Sequence, residues 1–286
     1  MNYYTSQNAE AFLNIVEPLL LENEVANTLA LGILGALTHH DPGLRMEGEP
    51  YMAYVADDQG PLLILLMTPP QNLIICGSTK SLNETMILAV KNLESVDVPG
   101  FIGVKALVDP FVAAYNAYYQ STSKLEMNQR IYRLDSVKPP KNMKGQLRVA
   151  TLEDLPLIKE WIHAFDMEAI GRSNHVDKRA EQSIATGATH IWEDEGKAVS
   201  MAKSSRPSKR GITVTNVYTP DAFRGKGYAS NCVAALSQKL LDQGYHYCTL
   251  YTDLTNPTSN HIYQNIGYRV VTDSVAYKIN KNPPIV

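Results

Sequence analysis

Cysteine is scarce in this 286-residue chain: Cys76, Cys232 and Cys248 stand far apart, without a CxxC pair. An odd, scattered set excludes a disulfide framework, offers no structural zinc site, and fits a reducing, cytoplasmic setting. Long apolar runs are missing too. The longest, Pro61–Met67, ends at Pro69-Pro70, well short of the roughly 18 residues that span a bilayer, and reads as a buried strand. The opening MNYYTSQNAE lacks a basic region followed by an apolar stretch, so it does not read as a signal peptide. Neither sign of charge dominates: 26 Lys and Arg against 29 Asp and Glu leave a formal net charge of −3. No global attraction to nucleic acid or to an anionic membrane is expected from that balance. Phe (5) and Trp (2) are few, whereas Tyr reaches 16, with Tyr115, Tyr118 and Tyr119 on one predicted helix. Half-buried amphipathic packing accounts for that cluster.

What is present is a core. Hydrophobic residues make up 44% of the chain, enough to exclude wholesale disorder, and the length suggests about two domains. The boundary falls in Ser136 to Gly145, SVKPPKNMKG, where two prolines, three lysines and a glycine leave little for a helix or strand. The expected division is 1–135, a linker at 136–145, and 146–286.

In the second piece, 147–150 reads as a strand, and Thr151-Leu-Glu-Asp resembles a capping box opening a helix through about Phe165. Residues 171–186 are polar and ambiguous. A hairpin follows over 190–203, then an alternating strand at 212–218, a helix over about 227–241 closed by Gly244, and a strand at 247–251. Asn256-Pro257 has the residue types of an N-cap and a first helical position, and the helix they open stops near Gly267. Two short strand-like runs, 268–272 and 274–279, complete the chain. The first piece shows a similar order: helical stretches, strand-rich sequence over 51–76, a helix at 82–93, a strand at 101–104, a helix at 108–119 and a strand at 128–134. That order suggests a degenerate duplication. The fold class is α/β (α+β), a mixed sheet flanked by helices.

The strongest local signal is the strand ending Val217-Tyr218-Thr219, followed by Arg224-Gly225-Lys226-Gly227 and at once by a helix beginning Tyr228-Ala229-Ser230. Glycines let the backbone turn sharply with its N–H groups converging, and the helix dipole adds partial positive charge there. A phosphate suits such a site, although a tight turn with solvated basic residues has the same sequence. Two phosphate loops fail the test. A Walker loop needs Lys-Ser/Thr after its second glycine, and a dinucleotide fingerprint needs Gly or Ala where Ser230 stands.

Arg224 to Ala229 does match R/Q-x-x-G-x-G/A, the acyl-CoA pyrophosphate loop of the GNAT superfamily of N-acetyltransferases. Residues 251–268 resemble that family's later motif: a strand, an Asn, then a helix bearing Tyr263 and closing in Gly267-Tyr268. Over about 147–279 the sequence therefore resembles a GNAT domain, with a degenerate GNAT-like domain before it.

The resemblance implies acetyl-CoA as co-substrate and direct acyl transfer to a primary amine, with no metal. Val217, Tyr218 and Thr219 would hydrogen-bond the pantetheine arm. Arg224, Gly225, Lys226, Gly227, Tyr228, Ala229 and Ser230 would hold the pyrophosphate, and Asn256 and Ser259 would line the same cleft. Tyr263, two helical turns beyond Asn256, would be the acid toward the departing thiolate or would orient the thioester. The strand before the loop, ITVTNVY, has none of the carboxylates that many family members carry there. Glu168 is the first choice for the base, before Asp166 and Glu193, and each of the three also reads as a solvated surface charge.

Other features read as structure. His39-His40-Asp41 is a polar helix end, Cys232 and Cys248 are core thiols, and Arg206, Lys209 and Arg210 form a basic hairpin tip in water, the other reading being contact with the adenosine 3′-phosphate. The N-terminal piece runs from its strand at 73–76 into Gly77-Ser-Thr-Lys-Ser, without the loop pattern, so no CoA binding is expected there. Partners expected are acetyl-CoA and a small-molecule amine, with no nucleic acid and no membrane, and a homodimer is one open arrangement. The rival readings are a non-catalytic acyl-CoA sensor and a protein or peptide acetyltransferase.

Overall fold

The computed structural model describes residues 1–41, 43–44, 46–78, 82–141 and 143–280. They form two compact units: unit 1 holds Met1–Ile131, Asp253–Thr255 and the segment from Val271, and unit 2 holds Tyr132–Thr252 and Asn256–Val270. Among its described residues, 136–145 contains no helix or strand.

Unit 1 runs β1 (Asn2–Ser6), α1 (Ala9–Glu22), α2 (Thr28–Thr38), β2 (Tyr51–Asp57), β3 (Gly60–Met67), β4 (Leu73–Gly77), α3 (Leu82–Lys91), β5 (Gly100–Val104) and α4 (Lys105–Tyr119), and it contributes the first part of β6 (Thr122–Leu134). Unit 2 runs β7 (Gln146–Val149), a 3-10 turn (Leu152–Asp154), α5 (Leu155–Ile170), α6 (Val176–Ala185), β8 (Thr189–Asp194), β9 (Lys197–Ser205), β10 (Gly211–Tyr218), a second 3-10 turn (Asp221–Phe223), α7 (Tyr228–Asp242), β11 (Tyr247–Asp253) and α8 (Pro257–Ile266). The last strand is β12 (Arg269–Asn280). From β1 to α4 and from β7 to α8, the order of helices and strands is the same.

The pairing repeats as well. In unit 1, β1 to β4 pair antiparallel in sequence, β4 pairs parallel with β5, and β5 pairs antiparallel with β12 over 274–278. In unit 2, β7 to β10 pair antiparallel and β10 pairs parallel with β11. In each unit the strands carry helices on both faces. In unit 2, α7 packs on the face of Ile212, Val214, Cys248 and Leu250, and α5 and α6 pack on the opposite face, against Ile191 and Met201.

Local chemistry explains the boundaries. The capping box forms at α5: the Thr151 N–H donates to Asp154 at 2.7 Å, and Arg148 grips the same carboxylate at 2.7 and 2.8 Å. Asn256 caps α8 by accepting from the Ser259 N–H at 3.0 Å, with Pro257 first in the helix. His39 is the residue after α2.

Four expectations change. Residues 176–185 are helical, because Ala180 and Ile184 bury one narrow apolar stripe in an otherwise polar segment. The C-terminal runs form one strand: Asp273 stays in it by pairing with Arg130 at 2.8 Å, and the Ser274 hydroxyl donates to the Gly103 carbonyl at 3.0 Å. A first strand, β1, precedes the helical stretches, and α4 begins at Lys105. The segment 79–81, part of the N-terminal loop compared above, lies outside the described residues.

Candidate active site

The site begins where two parallel strands part. β10 and β11 pair at Gly211–Tyr247, Ile212–Cys248 and Thr213–Thr249, and the last pair joins its hydroxyls at 3.0 Å. Beyond that pair β10 continues to Tyr218 and β11 to Asp253. Asn216 takes a left-handed backbone (φ +49°), and the register of β10 against β9 shifts between Thr215 and Tyr218, a bulge that turns the strand's end. Val217, Tyr218 and Thr219 lie on this bent end. Ser200 secures it, donating to the Tyr218 carbonyl at 3.0 Å and bonding the Thr219 hydroxyl at 2.9 Å.

The loop then closes on two left-handed glycines, Gly225 (φ +74°) and Gly227 (φ +83°), and a Cβ built on either meets none of the described residues within 4 Å. Gly227 is the N-cap of α7, and among the described residues no side chain caps the helix. The N–H groups of its first turn, which includes Tyr228, Ala229 and Ser230, are therefore left for water or a ligand, with the dipole's positive end behind them.

Arg224 acts on the loop itself. Its Nε donates to the Thr219 carbonyl at 2.9 Å, its Nη2 donates to both Glu168 oxygens at 2.7 and 2.8 Å, and its Nη1 reaches Asp221 at 2.8 Å. Glu168 in turn raises the guanidinium pKa. Lys226 Nζ donates to the Ala222 carbonyl at 3.2 Å, and the Tyr228 hydroxyl donates to Asp194 at 2.7 Å.

Tyr263 is buried and packs in the same apolar cluster as Val217, Tyr228 and Cys232, ringed by Tyr132 and Tyr268. Burial pushes its phenol up to about 12, against a smaller opposing effect of the hydrogen bond with Ser259. It is a proton-bearing donor across the working pH range. Beside it, the Tyr132 hydroxyl donates to Asn260 at 2.7 Å, a contact that joins two distant segments and left no sequence signal.

The carboxylates considered as bases are all engaged. Asp166 is buried, bound by Arg179 and, at 2.7 Å, by the Ser173 hydroxyl; Glu193 accepts from Arg148 at 2.7 Å; Glu168 is held by Arg224. The thiols are inert: burial pushes Cys76, Cys232 and Cys248 each up to about 12. Among the described residues no group of three or more His, Cys, Asp or Glu could hold a metal ion, and no helix is long and apolar enough to cross a membrane.

A splayed parallel pair, a strand bulge and a glycine turn into an uncapped helix define the GNAT N-acetyltransferase fold, here in tandem. The family described as FR47-like protein matches residues 197–277, from β9 into β12. A comparison with curated proteins gave no match. Among solved structures, a GCN5-related N-acetyltransferase from Sphaerobacter thermophilus is similar at 12% identity and TM-score 0.65, over 99% of this chain and 97% of that one. A GNAT-family acetyltransferase from Colwellia psychrerythraea is similar at 13% identity and TM-score 0.59, over 98% and 100%. A tandem GNAT protein from the clavulanic acid biosynthesis pathway is similar at 10% identity and TM-score 0.58, over 100% and 99%.

Proposed function

We propose that the protein is an acetyl-CoA-dependent N-acetyltransferase whose working site lies in unit 2, with a small-molecule primary amine as acceptor. The observation that carries this reading is the uncapped start of α7 beyond two left-handed glycines, next to strands that part after Thr213 and Thr249. The pyrophosphate lies on the N–H groups of residues 225–230, and the pantetheine arm lies along Val217–Thr219, in the gap that Asn256 and Ser259 border. Arg224 and Lys226 bind chiefly by holding the loop's shape.

The amine nitrogen attacks the thioester carbonyl, the C–N bond forms, the C–S bond breaks and the thiolate leaves. Tyr263 donates a hydrogen bond to that sulfur. Its proton stays on the phenol, because transfer from a group at about 12 to a thiolate near 8.5 is uphill by about 5 kcal/mol. The thiolate takes up the proton the amine loses. Glu168 serves as base only after leaving Arg224, so a water that passes the amine's proton to the departing thiolate is the more economical relay.

The ion pairs on Asp166, Glu168 and Glu193 favour one second reading, a non-catalytic acyl-CoA sensor. Calorimetric titration with acetyl-CoA followed by a thiol-release screen over amines separates the two. Binding with turnover supports the enzyme, binding without turnover the sensor, and no binding refutes both.

A further inference from the structure

Arg206, the first residue of the hairpin between β9 and β10, does not extend into water as a hairpin-tip arginine would. It is half-buried, and its guanidinium lies over the Tyr251 ring at 5.1 Å from the centroid. Its backbone is left-handed (φ +49°), a strained conformation for an arginine. No carboxylate or carbonyl among the described residues accepts from its N–H groups.

The sheet register locates this group. Ser205 stands opposite Thr213 and Thr213 opposite Thr249, so the three side chains form one row across β9, β10 and β11. Tyr251, two residues beyond Thr249, shares that face and lies about 7 Å along the strand, past the last paired residues where the cleft opens. Met201, four residues before Ser205, shares the face too and packs with α5 and α6. Arg206 therefore sits on the sheet face opposite α7. The Ser205 hydroxyl in that row is buried and has no hydrogen-bond partner among the described residues.

A guanidinium stacked on an aromatic ring uses its flat face and leaves its edge of N–H donors free to grip a planar or tetrahedral anion. Burial pushes the Arg206 pKa down, yet a guanidinium keeps its charge, so an anion there relieves an unmatched cation. We propose that Arg206, backed by Tyr251, receives an anionic group of the amine acceptor, a carboxylate or a phosphate monoester. The substrate class is then an amine that carries its own acidic group. This rests on the acetyltransferase reading above.

The test uses the full chain labelled with 15N-arginine, the Arg206 Nε–H resonance being assigned by its loss in Arg206→Gln. Acetate and inorganic phosphate are titrated separately. A saturable shift of that resonance is expected with one of them, which identifies the anion; no saturable shift with either overturns the proposal. In parallel, kcat/KM is compared within glycine and glycinamide, and within phosphoethanolamine and ethanolamine. The anionic member of one pair is expected to lead by at least about tenfold, the low end for a charge-assisted hydrogen bond. Arg206→Gln should bring that ratio close to one while acetyl-CoA affinity stays unchanged, and Arg206→Lys should restore part of it. A ratio that survives Arg206→Gln overturns the assignment. Arg206→Gly, which removes the backbone strain, should give the same loss of selectivity in a chain at least as stable. Failure of acetyl-CoA to bind wild type would instead count against the acetyltransferase reading, and the resonance titration stands apart from it.

Discussion

Replacing Gly227 by Asn and by Asp tests the anion cradle through charge alone. Gly227 has φ +83°, a region costing an ordinary side chain about 1–2 kcal/mol, but Asn and Asp enter it more readily than other residues. None of the described residues lies within 4 Å of a Cβ built there, so neither side chain meets their atoms at its root. The two variants match in shape and backbone tolerance and differ by one negative charge at the N-cap of α7. Against a pyrophosphate charge at about 6 Å and an effective dielectric of 20, that charge costs roughly 3 kcal/mol, about a hundredfold in affinity. Without ligand, the N-cap dipole favours Asp over Asn, so Gly227→Asp should be at least as stable as Gly227→Asn. Thermal melts with and without acetyl-CoA read both effects on one sample. Ligand at 100 times its Kd stabilises the wild type by about 2.7 kcal/mol, and the Asp variant should lose nearly all of that gain while the Asn variant keeps most of it. Equal ligand-induced shifts in the two variants would refute the placement of pyrophosphate at this helix.

Tyr263→Phe should lower turnover by about a hundredfold, the loss expected for one donor to a developing anion, with acetyl-CoA affinity unchanged in calorimetry. Because its phenol sits at about 12, no alkaline limb of the pH–rate profile below about pH 11 should disappear in that variant. Asp166→Ala should destabilise the chain by about 3 kcal/mol, the low end for a broken buried pair, since Arg179 keeps 24% of its side chain in solvent. At about 2–4 °C per kcal/mol the melting point should fall by about 6–12 °C, and a shift under about 2 °C would deny the pair its role. His190 is buried with its Nε2 at 3.0 Å from Lys239 Nζ, and burial first, then that ammonium, lowers its pKa. As pH falls below about 6.5 the unfolded chain takes up a proton that the folded chain resists, so stability declines there and is steady above it. Denaturant titrations across that window should show a shallower decline in His190→Gln.

The reach of the sequence follows from the range of the physics. The loop was legible because its chemistry is local: 224–229 sets glycine, cation and helix start side by side, and the structure puts left-handed glycines and an N-cap there. Asn256-Pro257 was legible for the same reason. The repeated element order also survived, since hydrophobic periodicity needs no partner. Contacts between distant segments were not readable. Arg224 reaches Glu168, 56 residues away, and Tyr132 reaches Asn260, 128 residues away; nothing in either neighbourhood specifies the other. Arg206 read as a solvated tip because its neighbours are basic and polar, while the ring that holds it lies on another strand. Helix α6 was hidden by its own polarity, with Ala180 and Ile184, flanked by the partly buried Val176, marking its single buried stripe.

The pairing of β5 with β12 bears on how the protein is made. Strand β5 ends at Val104, but its antiparallel neighbour within unit 1 is residues 274–278. A ribosome synthesises nearly all of unit 2 between the two. Throughout that interval one edge of β5 waits with its N–H and C=O row unmatched, the kind of edge that recruits other chains. Unit 2 can collapse while its sequence emerges, whereas the unit translated first is the one completed last. Nascent-chain handling, more than final stability, is then where a lesion in the C-terminal strand would do its harm.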